Sequence, residues 1–78
     1  MEPTTSQQPQ NTEAEASLLG ALLIDSDAIV KIADTINAQD FYELRHQRIY
    51  DAISKLYERH DAIDVLTLTD RLKNDGYL

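Results

Sequence analysis

The side chains that could bind a metal ion are few in this sequence and poorly spaced for that purpose. His46 and His60 stand fourteen residues apart, which on one helix separates them by about 20 Å, too far to share an ion. The chain has no cysteine. Asp25 and Asp27 begin like a calcium-binding loop, but Val30 occupies the position that such a loop fills with glycine. We therefore predict no metal site.

Groups for acid–base or nucleophilic catalysis do not converge in this sequence either. Gly20 and Gly76 are the only glycines, so the chain cannot form the glycine-rich loops that cradle nucleotide phosphates. Glu13 and Glu15 point in different directions on a predicted helix and suit the positive end of its dipole better than a general acid and base. Neither histidine has an evident partner for a catalytic triad with a serine. We predict no catalytic residue, no cofactor-binding residue and no enzyme activity in this chain.

Aromatic and basic side chains surround the start of the third predicted helix. We predict that Phe41, Tyr42, Arg45 and Arg48 contribute to a protein interface in which the aromatic pair is the anchor. The alternative is that Phe41 fills the core while Tyr42 and His46 supply hydrogen bonds that fix the entry to this helix. The alternative is the more common role for such a group.

The charge balance bears on the class of partner. Fourteen acidic residues against seven basic ones give a net charge of −7, which repels a phosphate backbone. Four basic residues could share one side of a helix, but Asp51 and Glu58 interrupt that side; the four are Arg45, Arg48, Lys55 and Arg59. We therefore expect this chain to bind proteins and to make no direct contact with nucleic acid.

Composition also bears on location. No apolar run approaches the roughly 18 residues that span a membrane, and the N-terminal residues do not have the basic and apolar segments of a signal peptide. The absence of cysteine fits a reducing compartment. We expect a cytoplasmic protein with no membrane partner.

The spacing of apolar residues predicts an all-α fold, a small compact orthogonal bundle of about four to five helices. Residues 1–10 hold both prolines and are otherwise mostly polar, so we expect a disordered tail there and one helical domain in residues 11–78. The first helix should begin at Asn11 or Thr12. Its apolar band is wide, which predicts a central helix buried on most sides. A neighbouring helix that approaches closely would explain Gly20 in its interior.

Three further helices follow from the same kind of pattern. A second has an apolar face between Ala28 and Ile36, and a third, amphipathic helix runs from about Arg45 to His60. Asp64 can cap the fourth helix, and Gly76 suits the left-handed residue after its end. The predicted apolar face of the fourth helix, with Leu66 at its margin, consists of Val65, Leu68, Thr69 and Leu72.

Three short motifs occur in order along the chain and together resemble one family. They are Pro9 to Gly20 (PQNTEAEASLLG), Asp40-Phe41-Tyr42 with His46 and Ile49-Tyr50, and Ile63 to Leu68 (IDVLTL) with Leu72, Gly76 and Leu78. In these residues the sequence resembles the N-terminal domain of the DnaB-type bacterial replicative DNA helicases. The resemblance extends from Pro9 to the last residue.

The resemblance implies a function that composition does not. In that family this region is a helical head that contributes to a collar of the hexamer and docks the C-terminal domain of primase. Contacts with the helicase loader and the initiator are attributed to it as well. The ATP- and magnesium-dependent motor that unwinds DNA from 5′ to 3′ is a separate domain, so the resemblance implies an enzyme only for a longer parent protein.

The family's head continues into a helical hairpin, and this sequence stops at Leu78 before it. We therefore expect a truncated head domain that self-associates weakly or not at all. A freestanding helical adaptor that imitates the helicase head is the alternative function.

Overall fold

Four α-helices and two short 3₁₀ helices make up most of the computed structural model, which describes residues 11–78. No β-strand occurs among these residues, so the predicted all-α bundle is confirmed. The predicted disordered tail, residues 1–10, lies outside the described residues. The α-helices are α1 (Thr12–Ile24), α2 (Ile29–Ile32), α3 (Leu44–Glu58) and α4 (Val65–Asn74), and the 3₁₀ helices span Ser26–Ala28 and Ala38–Asp40.

The helices α1 and α4 begin at the side chains that the sequence predicted. The side chain of Asn11 accepts a hydrogen bond from the backbone N–H of Ala14 at 3.0 Å. The Asp64 carboxylate accepts one from the N–H of Thr67 at 2.9 Å, and the Thr67 hydroxyl accepts one from the N–H of Asp64 at 3.0 Å. Such caps satisfy N–H groups that have no partner within the helix.

The helices α3 and α4 end in the same way, with a left-handed residue and two backbone hydrogen bonds that close the last turn. In α4 the left-handed residue is Gly76, at a φ of 85°, as predicted, and the N–H of Tyr77 donates to the carbonyl of Leu72. In α3 it is His60, at a φ of 61°, which the sequence did not predict. Because His60 carries a Cβ, its conformation is less favourable than that of glycine.

The core forms around α3, which contributes four buried residues. Tyr50 and Ile53 are 2% and 0% exposed. The Tyr50 ring lies 5.1 Å from that of Phe41, measured between centroids, and its hydroxyl donates to the carbonyl of Ile36 at 2.9 Å. The other buried residues of the described chain are Leu19 and Leu22 from α1, Ile29 from α2, Phe41 before α3, Ala52 and Leu56 from α3, and Leu68 and Leu72 from α4.

Ion pairs join the ends of α3 and α4. The Asp75 carboxylate accepts hydrogen bonds from Arg71, at 2.9 Å, and from Lys55, at 3.4 Å. Hydrogen bonding from Arg71, followed by its charge and by Lys55, holds the pKa of Asp75 below its usual value against the opposing effect of burial. Lys55 also contacts Asp51 within α3 at 3.1 Å. These contacts fix the residue that precedes Gly76.

The environment of α1 differs from the prediction. We expected burial on most sides, but only Leu19 and Leu22 are buried, and Ile24 is 90% exposed. A Cβ placed on Gly20 would meet no atom within 4 Å, so no close approach explains this glycine. The prediction that the wide apolar band is buried on most sides was therefore wrong, because α1 packs against the core through one face only.

Two further differences concern α2 and α4. The helical face between Ala28 and Ile36 exists, but its α-helix is a single turn, Ile29–Ile32, continued by turns. Val65 was predicted to lie on the apolar face of α4 and is instead 66% exposed. As the first residue of α4 it precedes the turn that contacts the core.

Leu56→Asp should abolish folding, because it replaces a side chain that is 5% exposed with a charge that has no buried partner. The cost of several kcal/mol is comparable with the total stability of about 5 kcal/mol expected for so small a domain. Leu66→Asp is the matched control, since Leu66 is 70% exposed. Thermal denaturation followed by circular dichroism tests both. A cooperative transition of Leu56→Asp near that of the parent chain would contradict the assignment of Leu56 to the core.

His60→Gly should stabilise the domain by about 0.5–1 kcal/mol, since glycine adopts the left-handed conformation without a steric penalty but has more freedom when unfolded. Gly76→Ala, at the equivalent position of α4, should instead destabilise the domain. Urea denaturation of both variants measures the two free energies of unfolding. Equal destabilisation by both would show that His60 makes a contact that outweighs its backbone strain.

Candidate interaction surface

Phe41 belongs to the core and not to the surface. It is 4% exposed, and its backbone carbonyl accepts a hydrogen bond from the Gln47 side chain at 2.8 Å. The alternative in which Phe41 fills the core is therefore the one that the structure shows. The other three predicted interface residues, Tyr42, Arg45 and Arg48, are at least partly accessible.

The start of α3 is fixed by a residue of α1. The Glu15 carboxylate accepts hydrogen bonds from the backbone N–H of Tyr42, at 2.5 Å, and of Glu43, at 3.2 Å. It also lies 2.8 Å from Nδ1 of His46. The prediction that His46 helps to fix the entry to this helix is thus confirmed, whereas Tyr42 contributes through its backbone. Glu15 lies in the first turn of α1 as predicted, but its carboxylate stabilises α3.

This environment changes the acidity of Glu15. Burial, the largest single effect, opposes ionisation, but the hydrogen bonds from His46, Tyr42 and Glu43 and the charge of His46 together outweigh it. The pKa of the carboxyl is therefore below its usual value. The ionised form of Glu15 is the one that stabilises the fold.

Exposed side chains follow immediately at the start of α3. Tyr42 and Leu44 are 53% and 54% exposed. The Arg45 side chain is 79% exposed, and its Nε donates to the Glu43 carboxylate at 2.9 Å. Leu44 lies one helical turn before Arg48, on the charged side of α3 and away from the core.

Arg48 contacts the segment after α4. Its guanidinium carbon lies 4.4 Å from the centroid of the Tyr77 ring, within the range of a cation–π interaction. Tyr77 remains 45% exposed and Leu78 is 71% exposed. The structure therefore brings together five side chains, which we call the Arg48 surface: Leu44, Arg45, Arg48, Tyr77 and Leu78.

Three residues of the Arg48 surface were missed in the sequence. Leu44 had a signal, since it is an aliphatic residue aligned with Arg48, Asp51 and Lys55 on the charged side of an amphipathic helix. Tyr77 and Leu78 had none, because their place beside α3 depends on the direction in which the chain leaves Gly76.

Metal-binding clusters and membrane-spanning helices were sought in the part of the chain that the structure describes. No group of three or more His, Cys, Asp or Glu side chains there could hold a metal ion. None of its helices has the length and apolar character needed to cross a membrane. The described residues thus define a small all-α domain whose distinctive surface is apolar and basic.

Comparison with known proteins identifies the family. Residues 7–78 match the model of the DnaB-like helicase N-terminal domain. Replicative DNA helicases DnaB of Rhodothermus marinus and Mycobacterium leprae are 41% and 40% identical to this chain, over 90% and 92% of its length. The replicative DNA helicase DnaC of Bacillus subtilis is 37% identical over 90% of the chain. No solved structure matches significantly.

The chain belongs to the DnaB-like helicase N-terminal domain family, which confirms the resemblance found in its motifs. It spans only a small part of these relatives, namely 7% of the Rhodothermus marinus, 12% of the Mycobacterium leprae and 15% of the Bacillus subtilis protein.

Glu15→Gln should destabilise the domain by about 1.5 kcal/mol at neutral pH, the scale of a hydrogen bond to a charged group. Glu13→Gln, two residues earlier at an exposed position, is the matched control and should have little effect. Because folding lowers the pKa of Glu15, the ionised carboxylate contributes its full stabilisation at pH values well above the pKa of the unfolded chain. The difference between the parent chain and Glu15→Gln should therefore decrease as the pH falls through the lowered pKa.

Urea denaturation at a series of pH values measures this difference. A penalty that is independent of pH down to pH 3, or one equal to that of Glu13→Gln, would rule out a stabilising role for the ionised carboxylate.

Proposed function

We propose that this chain is a non-catalytic interaction and assembly domain of a replicative DNA helicase. In this role it contributes to the collar of the hexamer and docks the C-terminal domain of primase, and it also contacts the helicase loader or the initiator. The observation that carries the proposal is the Arg48 surface on a domain of this family. A group of exposed aromatic, aliphatic and arginine side chains is typical of the central part of protein interfaces.

The charge of the chain supports a protein partner. At a net charge of −7 the domain would gain little from DNA, whose phosphates are best met by a basic surface. The role is therefore recruitment and assembly, with contact to DNA made by other parts of a helicase. Its place in replication also implies a cytoplasmic location.

The catalytic activity is proposed for the parent helicase. The residues of this chain do not fit ATP, because a phosphate-binding loop requires several clustered glycines and Gly20 and Gly76 are the only ones present. ATP, magnesium and 5′ to 3′ unwinding are therefore assigned to a separate motor domain, and no step of that reaction is assigned to a residue described above.

Calorimetric titration of the 78-residue chain with the C-terminal domain of primase from the same organism tests the proposal. We expect micromolar or tighter binding, which would establish the head domain as a sufficient docking site. Circular dichroism first confirms that the chain is folded. If the folded chain does not bind while a longer helicase from the same organism does, the docking contacts lie outside this chain and its role is limited to assembly.

A further inference from the structure

We infer that the Arg48 surface binds an acidic amphipathic helix of the partner protein. A carboxylate of that helix pairs with Arg48, and its aliphatic side chains enter the two clefts beside Arg48. The inference rests on the proposed function, for which it names the binding site and the chemistry of the partner.

The shape of the surface favours side chains over a small molecule. Arg48 and Tyr77 stand between two open clefts and line both of them. One cleft, of about 280 Å³, extends from Leu44 to Ala38, and the other, of about 170 Å³, extends from Ile49 to Leu78. These volumes lie at or below the lower end of the roughly 300–1,000 Å³ of a typical small-molecule site. Two open clefts that share Arg48 and Tyr77 suit neighbouring side chains of one helix.

The walls of the clefts are partly apolar and accessible. Leu44, Tyr77 and Leu78 are each at least 45% exposed. Ile49 and Leu72 line the second cleft from below. Aliphatic side chains that enter these clefts would remove apolar area from water on both partners, which drives association.

The charges of the surface favour an acidic partner. No carboxylate of residues 11–78 lies within salt-bridge distance of Arg48, whose guanidinium stacks on Tyr77. Arg45 is paired with Glu43 but remains largely exposed. Asp51, on the rim of the first cleft, is paired with Lys55 at 3.1 Å. The surface is thus locally basic on an acidic domain.

The same charges argue against two other occupants. Nucleic acid would meet only a small basic area among residues 11–78, on a chain of net charge −7, which is too little to offset the repulsion from the acidic residues. A second copy that met this surface with its own Arg48 surface would bring the arginines of both copies together, and this local repulsion disfavours that contact as well. A partner helix with a few carboxylates and an apolar face avoids both costs.

Charge reversal with a matched control tests the inference. Arg48→Glu should weaken binding of the primase C-terminal domain by about tenfold or more, because it places two carboxylates together in the contact. Arg59→Glu makes the same change at an exposed position directly after the far end of α3 and should change the affinity by less than about twofold. Leu44→Asp and Leu66→Asp form a second pair, of which only Leu44→Asp should weaken binding. Circular dichroism confirms that each variant is folded.

Nuclear magnetic resonance of the ¹⁵N-labelled chain locates the contact independently. On addition of the primase domain, the amide signals of Leu44, Arg48 and Tyr77 should shift, while those of Val30 and Leu66 should not. Two results would overturn the inference and leave the proposed function intact. In the first, Arg48→Glu binds the primase domain as tightly as the unmodified chain does; in the second, the unmodified chain binds but only the signals of Val30 and Leu66 shift. Self-association that Arg48→Glu abolishes would assign the surface to a second copy and overturn it too. Absence of binding by both the chain and a longer helicase would overturn the proposed function itself.

Discussion

Burial of one side of α3 is the interaction on which the rest of this domain depends. Ala52 and Ile53 are completely inaccessible, and every other described helix contributes to the core that surrounds them. A domain of this size buries little apolar area on folding, since small chains bury a smaller fraction of their surface. The other helices have few buried residues each, so their stability comes mainly from contact with the core around α3.

The opposite side of α3 carries the Arg48 surface, the proposed site of interaction. Its first turns present Leu44 and Arg48, and their positions are set by contacts at both ends of the described chain. Glu15 of α1 holds the start of the helix, and the left-handed turn at Gly76 returns Tyr77 to Arg48. A change in α1 or after α4 would therefore alter the Arg48 surface without changing a residue of α3.

Features with a local cause could be predicted from the sequence, and features that depend on packing could not. The caps at Asn11 and Asp64 and the turn at Gly76 follow from short-range hydrogen bonding and backbone sterics. Tyr50 was not assigned to the core, because its burial depends on Phe41 and Ile36 in another segment. For the same reason the role of Glu15 could not be predicted, because its hydrogen-bond partners lie more than twenty-five residues away in the sequence. Of the candidate surface, the arginines could be predicted, but their arrangement with Tyr77 could not.

The stack of Arg48 on Tyr77 has a consequence for the entropy of binding. A long side chain that becomes immobile in an interface loses conformational freedom at a cost of about 0.5–1.5 kcal/mol. Arg48 and Tyr77 already restrict one another, and the hydrogen bond from the N–H of Tyr77 to the carbonyl of Leu72 holds the backbone beneath them. Part of the side-chain freedom that binding of a partner would otherwise remove is therefore already lost when the domain folds. The stability of the last turn of α4 and the affinity of the proposed interface for a partner would therefore be thermodynamically linked.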